Sequence, residues 1–115
     1  FVEAEQSNGP SVISADAPCI THGYDMKQSQ IHSWNSVKSG YNTLFRYNPT
    51  AKQQMQVDSY DPTMPYDEYV ESENRFAILS KVNGSNKQKL ISASEKDAIS
   101  RRETYLNKQK ESKKD

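Results

Sequence analysis

Residues 11 to 21 read SVISADAPCIT, and the rest of the chain is best interpreted outward from them. Ser11 to Ala15 form an apolar run with β-branched residues, a pattern that predicts a short buried strand. Pro18 stiffens the chain after that strand, and Cys19, the only cysteine, follows at once. Ligands of α/β folds usually bind at strand ends, so the thiol is a candidate functional group.

A helix is predicted on the C-terminal side of this turn, over about residues 26–39. Its apolar side chains recur at helical spacing and are expected to pack inward; they are Ile31, Trp34, Val37 and Tyr41. Gly40 stands where such a helix would end. On the N-terminal side, residues 1–5 predict the last turn of another helix.

The second half of the chain predicts two short strands and two helices. Residues 41–47 and 55–57 have the aromatic and alternating character of strands. A helix beginning near Pro65 would place three apolar residues on one stripe, Tyr69, Phe76 and Leu79. Ser94, with an aspartate three positions later, resembles a capping box, so a terminal charged helix and tail are predicted over residues 94–115.

Composition limits the function classes. The 115 residues carry 15 basic and 15 acidic side chains, so no net charge attracts nucleic acid or a membrane surface. Hydrophobic residues make up 33% of the chain, and no apolar run approaches the roughly 18 residues of a membrane helix. A core built from so few apolar residues is thin. We therefore expect an incomplete α/β domain, rich in loops, that packs on protein outside these residues.

Three kinds of chemistry are open to Cys19 on the residues alone. A free cysteine commonly packs as a small buried hydrophobe, which would make this chain a small non-catalytic interaction module with a buried structural Cys19. Spacing also permits a nucleophile paired with His22 or His32, although no protease or transferase motif surrounds the thiol. A structural zinc or an iron–sulfur cluster takes four ligands, usually cysteines, so a metal at Cys19 needs ligands from outside the chain.

The stretch around the cysteine resembles the C-terminal region of pyruvate:ferredoxin oxidoreductases. Residues 8–30, NGPSVISADAPCITHGYDMKQSQ, carry the family's Gly-Pro-Ser strand, its Pro-Cys-Ile-x-His-Gly turn and its Met-x-x-Ser-Gln helix start. Three later motifs follow in family order: SGYNTLFRYNP at 39–49, VDSYDP at 57–62 and YDEYVESENRFAIL at 66–79. The resemblance covers residues 1 to about 80, and beyond them only a charged terminal helix agrees.

The resemblance implies a fold and a site. It implies that residues 1–115 are the C-terminal part of a thiamine-diphosphate-binding α/β domain with a parallel sheet, beside a proximal 4Fe-4S cluster. Cys19 matches the cysteine that supplies the fourth cluster ligand, and the other three ligands lie outside this chain. Backbone N–H groups of the following turn are expected to hydrogen-bond the cluster sulfurs and tune the cluster's potential; the turn residues are Ile20, Thr21, His22 and Gly23. The side chain of His22 is expected either to donate a hydrogen bond or to cap the turn. No catalytic residue is expected within this chain.

The resemblance also implies the reaction of the whole enzyme. Such an enzyme decarboxylates pyruvate on thiamine diphosphate, forms acetyl-CoA from coenzyme A, and passes electrons through 4Fe-4S clusters to ferredoxin or flavodoxin. Thiamine diphosphate and its Mg ion would be bound mainly by residues outside this chain, so this piece is expected to be inert alone. Its expected partners are the remainder of the same polypeptide and, in the full-length enzyme, a second copy in a homodimer. Nucleic acid and membranes are not expected as partners. The expected compartment is the cytoplasm or a hydrogenosome-like organelle.

Overall fold

The computed structural model describes residues 1–82 and 84–113 of the chain. In these residues, most of the regular structure is helical, and one small two-stranded sheet is present. The α-helices and strands are α1 (Val2–Glu5), α2 (Ser29–Lys38), β1 (Phe45–Tyr47), β2 (Met55–Val57), α3 (Tyr66–Ser72), α4 (Asn74–Val82) and α5 (Lys87–Glu111). Short 3-10 helices cover Ile20–His22, Met26–Gln28 and Gly84–Asn86. This α-rich arrangement is compatible with a segment of an α/β fold.

The strand predicted over Ser11 to Ala15 is wrong. Residues 11–19 have no regular secondary structure, and the side chain of Val12 is 94% exposed. A strand needs a neighbouring edge to satisfy its backbone N–H and C=O groups. In the described residues β1 and β2 pair with each other, and no further strand offers such an edge. The sheet that is present is antiparallel, and a parallel sheet does not occur in the described part of the chain.

The helix predicted after the cysteine turn is confirmed. The carboxylate of Asp25 accepts a hydrogen bond from the Lys27 backbone N–H at 3.0 Å and starts the 3-10 turn that leads into α2. Gly40 follows the end of α2 with φ of 77°, a left-handed conformation that glycine adopts without strain. A side chain there would also meet the ring of Pro62, because an added Cβ would lie 2.9 Å from its Cγ.

The apolar side chains of α2 are not all packed as expected. Trp34 is 57% exposed, and its ring lies 5.7 Å from the Lys38 ammonium, so the prediction that it packs inward is wrong in this structure. Ile31, one turn earlier, is 59% exposed. Tyr41 does pack inward, with its ring centroid 5.3 Å from that of Tyr69.

The strand predicted over 55–57 is confirmed, and that predicted over 41–47 is present only over Phe45–Tyr47; the two form an antiparallel hairpin. Its register pairs Phe45 with Val57 and Tyr47 with Met55. Helix α5 covers the free edge of β2, where the Gln109 side-chain oxygen accepts the Val57 backbone N–H at 2.5 Å. The exposed edge of a two-stranded sheet is thereby satisfied by a helix instead of a third strand.

The helix predicted from Pro65 is divided in two. It begins where expected, but Glu73 has extended backbone angles (φ −96°, ψ 113°) and separates α3 from α4. The small core lies between these helices and α5. Its buried members are Tyr66, Tyr69, Val70, Ile91 and Ala98, with Tyr41, Met64 and Phe76 packed against them.

The terminal helix exists, but the start predicted for it is wrong. Helix α5 begins at Lys87, and Ser94 lies inside it instead of capping it. The Ser94 hydroxyl hydrogen-bonds the Tyr66 hydroxyl at 2.6 Å, so this serine joins α5 to α3. The last two residues of the predicted tail, Lys114 and Asp115, lie outside the described residues.

Candidate functional site

Cys19 stands at the start of a tight turn, which we call the thiol turn and define as residues 19–24. The Cys19 carbonyl accepts the His22 backbone N–H at 2.9 Å, and the Ile20 carbonyl accepts that of Gly23 at 3.1 Å. Gly23 closes the turn with φ of 77°, in the left-handed region. Two short backbone bonds and one glycine therefore define the direction in which the thiol points.

The Cys19 thiol is exposed, and its closest polar neighbour is Thr21. The Cys19 sulfur and the Thr21 hydroxyl oxygen lie 3.0 Å apart. Hydrogen bonds from the hydroxyl and from the backbone N–H of Thr21 lower the pKa of Cys19, because they stabilise the thiolate. The alternative of a buried structural Cys19 is contradicted by this exposure.

The described part of the chain does not by itself supply a complete metal site at this place. Within residues 1–82 and 84–113, no three His, Cys, Asp or Glu side chains come together in a way that could hold a metal ion. An exposed thiol with a lowered pKa suits a ligand of iron or zinc. The donor set therefore fits one position of a four-ligand site whose other donors come from elsewhere.

His32 serves a different partner from the thiol. Its Nδ1 lies 2.5 Å from Oε1 of Glu73, a residue 2% exposed. Arg75 Nε lies 3.2 Å from the other Glu73 oxygen, close enough for an ion pair although not aligned as a hydrogen bond. Because Glu73 is shared with Arg75 as a carboxylate, it accepts and His32 donates. The pairing of His32 with Cys19, which the spacing permits, is thus not the one observed: His32 pairs with Glu73.

Tyrosines extend this group of charges, and we call the set of His32, Glu73, Arg75 and Tyr69 the Glu73 network. The Arg75 guanidinium donates to the Tyr69 hydroxyl at 3.0 Å. Burial, with the negative charge of Glu73, raises the pKa of Tyr69 to about 12. Burial and Glu73 likewise raise the pKa of Tyr24, whose hydroxyl is buried. The network therefore places a buried negative charge directly behind the thiol turn.

The thiol turn is contacted by the Glu73 network and by Asn74, the residue that follows Glu73. The side-chain amide of Asn74 donates a hydrogen bond to the Gly23 carbonyl. The ring of Tyr24 stacks on that of His32 with centroids 4.2 Å apart and planes at 30°. Residues 73–75 are distant from the turn in sequence, and local patterns indicated no site role for them. Their one available signal was their place in the fourth family motif, which contains Glu73, Asn74 and Arg75, whereas His32 was a candidate only as a partner of Cys19.

The comparison with known proteins gives one consistent result. No family profile matches this chain. It is 37% identical over 109 residues to the pyruvate:ferredoxin oxidoreductase of Moorella thermoacetica, an alignment that covers 91% of this chain and 9% of that protein. It is 34% identical, with the same coverage, to the pyruvate-flavodoxin oxidoreductase of Trichormus variabilis. This chain belongs, as a segment, to the pyruvate:ferredoxin and flavodoxin oxidoreductase family.

The predicted family of this oxidoreductase segment is thereby confirmed. The segment spans about 9% of the length of the oxidoreductases that it matches, so a remainder of the same polypeptide is supported as its partner. A mitochondrial pyruvate dehydrogenase (NADP+) of Euglena gracilis is 36% identical over 89 residues, which are 72% of this chain and 5% of that protein. The matches extend beyond residue 80, because 91% of the chain is aligned.

One further finding concerns the helices of the oxidoreductase segment. None of those in the described part of the chain combines the length and the apolar character that a bilayer crossing requires. The longest of them, α5, carries charged side chains along its course.

Proposed function

We propose that this oxidoreductase segment supplies one thiolate, Cys19, to a 4Fe-4S cluster whose other three ligands lie elsewhere in a longer polypeptide. The observation that carries the proposal is the exposed thiol of Cys19, which stands at the first position of the thiol turn and whose pKa is lowered by Thr21. A thiolate is the form that binds iron, and exposure leaves it accessible to ligands from another part of the protein.

The residues of the thiol turn would have separate tasks around such a cluster. The N–H groups of His22 and Gly23 are already donated to carbonyls within the turn. The hydroxyl and the N–H of Thr21 are directed at the sulfur, so Thr21 is the residue of the turn best placed to tune it. Ile20 is 71% exposed and offers an apolar cover for the ligand. An iron–sulfur cluster, when bound, takes up and passes on single electrons.

The names of the relatives are the basis on which we propose the reaction of the whole protein. Those names describe oxidoreductases that act on pyruvate with ferredoxin or flavodoxin. We propose that the longer protein decarboxylates pyruvate on thiamine diphosphate with Mg, transfers the acetyl group to coenzyme A and reduces ferredoxin or flavodoxin. We further propose that it acts as a homodimer in the cytoplasm or in a hydrogenosome-like organelle, with no catalytic residue in this segment. The segment would then be part of the thiamine-diphosphate-binding domain and inert alone.

The test is the replacement Cys19→Ala in the longer polypeptide. The variant is expected to lose the iron and acid-labile sulfide of one cluster and to lose ferredoxin reduction, while it still binds thiamine diphosphate. Ser14→Ala, in the same exposed stretch, is the matched control and should retain its iron. Unchanged iron and sulfide in the Cys19→Ala protein would refute the ligand assignment.

A further inference from the structure

We infer that Asn74 is a positioning residue for the Cys19 ligand, because it fixes the carbonyl that closes the thiol turn. This inference rests on the proposed role of Cys19 in binding the cluster. Asn74 and Gly23 are 51 positions apart in the sequence, so the hydrogen bond between them joins two distant parts of the chain. Neither residue is assigned a role of this kind by the local sequence pattern.

The bond acts at the end of the turn where the backbone has most freedom. Gly23 has no side chain, and its left-handed φ of 77° is the conformation that closes the 3-10 turn after Cys19. The Gly23 N–H, which bonds the Ile20 carbonyl, and the Gly23 carbonyl, which accepts from Asn74, lie on either side of the Gly23 Cα. The two bonds together restrict both flexible backbone angles of this glycine, and without the Asn74 bond the carbonyl side is free to rotate.

Asn74 is itself held in place by the residue before it. Glu73 is buried and pairs with His32 and Arg75, and its extended backbone ends α3. Helix α4 begins at Asn74, so the position of this side chain follows from that of Glu73. The buried carboxylate of Glu73 thus fixes the start of α4. Asn74, the first residue of α4, in turn fixes the thiol turn.

A second contact supports the same end of the turn. The Tyr24 ring stacks on His32, and His32 is bonded to Glu73. Both contacts therefore lead to one buried side chain, which makes the turn and the junction between α3 and α4 a single unit. Side chains that orient a metal ligand in this way commonly change metal affinity about 10- to 100-fold when they are replaced.

The test uses the longer polypeptide with Cys19 intact. Asn74→Asp has the same shape but offers a carboxylate in place of the amide donor, so it repels the Gly23 carbonyl. We expect an altered EPR spectrum of the reduced cluster and about tenfold faster loss of its iron to a chelator. Asn74→Gln keeps an amide donor, so its iron should be lost to the chelator more slowly than in Asn74→Asp and faster than in the unaltered protein. Asn107→Asp, the same replacement on the exposed surface of α5, is the control and should behave as the unaltered protein.

The outcomes separate this inference from the proposed function. If Cys19→Ala loses the cluster but Asn74→Asp leaves the EPR spectrum and the chelation rate unchanged, the positioning role is overturned and the ligand role stands. If Cys19→Ala keeps all its iron, both are overturned. Thiamine diphosphate binding, measured on every variant, reports whether the fold is retained. An altered spectrum with retained thiamine diphosphate binding supports the role of Asn74.

Discussion

The carboxylate of Glu73 is expected to be the most sensitive single group in the structure. Glu73→Gln keeps the shape of the side chain and removes its charge. The side chains of Glu73 and His32 are 3% and 12% exposed, whereas that of Arg75 is 31% exposed. A hydrogen bond to a charged group contributes about 1.5–3 kcal/mol, and breaking a buried pair costs about 3–5 kcal/mol. Since Arg75 keeps part of its hydration, we expect a loss of about 2–4 kcal/mol for Glu73→Gln.

The measurement is urea-induced unfolding of the 115-residue chain, followed by circular dichroism. With a slope of about 2 kcal/mol per molar urea, the expected loss lowers the midpoint by about 1–2 M. Glu68→Gln is the matched control, because Glu68 lies exposed on α3, and exposed substitutions usually change stability by less than about 0.5 kcal/mol.

A double-mutant cycle isolates the contact that the argument depends on. His32→Gln removes the imidazole, and the combination with Glu73→Gln should cost less than the sum of the two single changes. Residues that share a hydrogen-bond network show interaction energies of about 0.5–3 kcal/mol. A Glu73→Gln midpoint equal to that of Glu68→Gln, or fully additive effects in the cycle, would refute the assignment of a stabilising pair.

Two other predictions concern the packing around this network. Gly40→Ala should lower the free energy of unfolding by at least about 1–2 kcal/mol, because φ of 77° at this position is left-handed and the new Cβ would meet Pro62. Gly84→Ala is the control and should not destabilise the chain, because a Cβ at Gly84 meets nothing within 4 Å. Burial raises the pKa of Tyr69 to about 12, so the folded state holds the phenol proton that the unfolded state releases above about pH 10. The stability from this group is present below pH 10 and is lost as the pH rises toward 12. Between pH 9 and 11, the urea midpoint of Tyr69→Phe should therefore fall less steeply with pH than that of the unaltered chain. Equal slopes would contradict the raised pKa of Tyr69.

Local signals in the sequence predicted those elements that depend on local interactions. The helix ending at Gly40 and the strand over Met55–Val57 have periodic patterns and end signals of their own, and both are confirmed. The strand over residues 11–15 failed because a strand needs a pairing partner, and neither β1 nor β2 pairs with these residues. A strand pattern predicts a side chain's preference for burial, but the partner that buries it is not part of the pattern.

Tertiary contacts account for the two wrong helix boundaries. The predicted stripe of Tyr69 and Phe76 passes through Glu73, which pairs with the distant His32 and has the extended backbone angles that end α3. Ser94 has the composition of a cap, but its hydroxyl is used by Tyr66 of another helix, so α5 passes through it. In both cases a contact between elements replaced a local preference.

In the candidate site, too, the residues set by local interactions were predicted and those set by tertiary contacts were not. Cys19 and the turn that follows it were identified from the sequence because the residues that shape the turn lie within five positions of one another. The side chains behind the turn could not be identified in this way, since Glu73 is 41 positions from its partner His32. A buried acidic residue is uncommon unless it is paired, so its burial is the physical feature that identifies it once a structure exists.

The nature of the Glu73 network indicates why it lies behind the thiol turn. A buried pair of charges adds little stability compared with apolar side chains of the same size, because both charges lose their hydration. What it does impose is a narrow set of distances and angles, since each group must meet a particular partner. The apolar core of this chain is small, and apolar contacts are less directional than the contacts of Glu73. If the thiol turn presents Cys19 to a cluster, as proposed, it needs a fixed direction more than it needs added stability. Glu73→Gln is therefore expected to alter the geometry at Gly23 as well as to lower the stability of the chain.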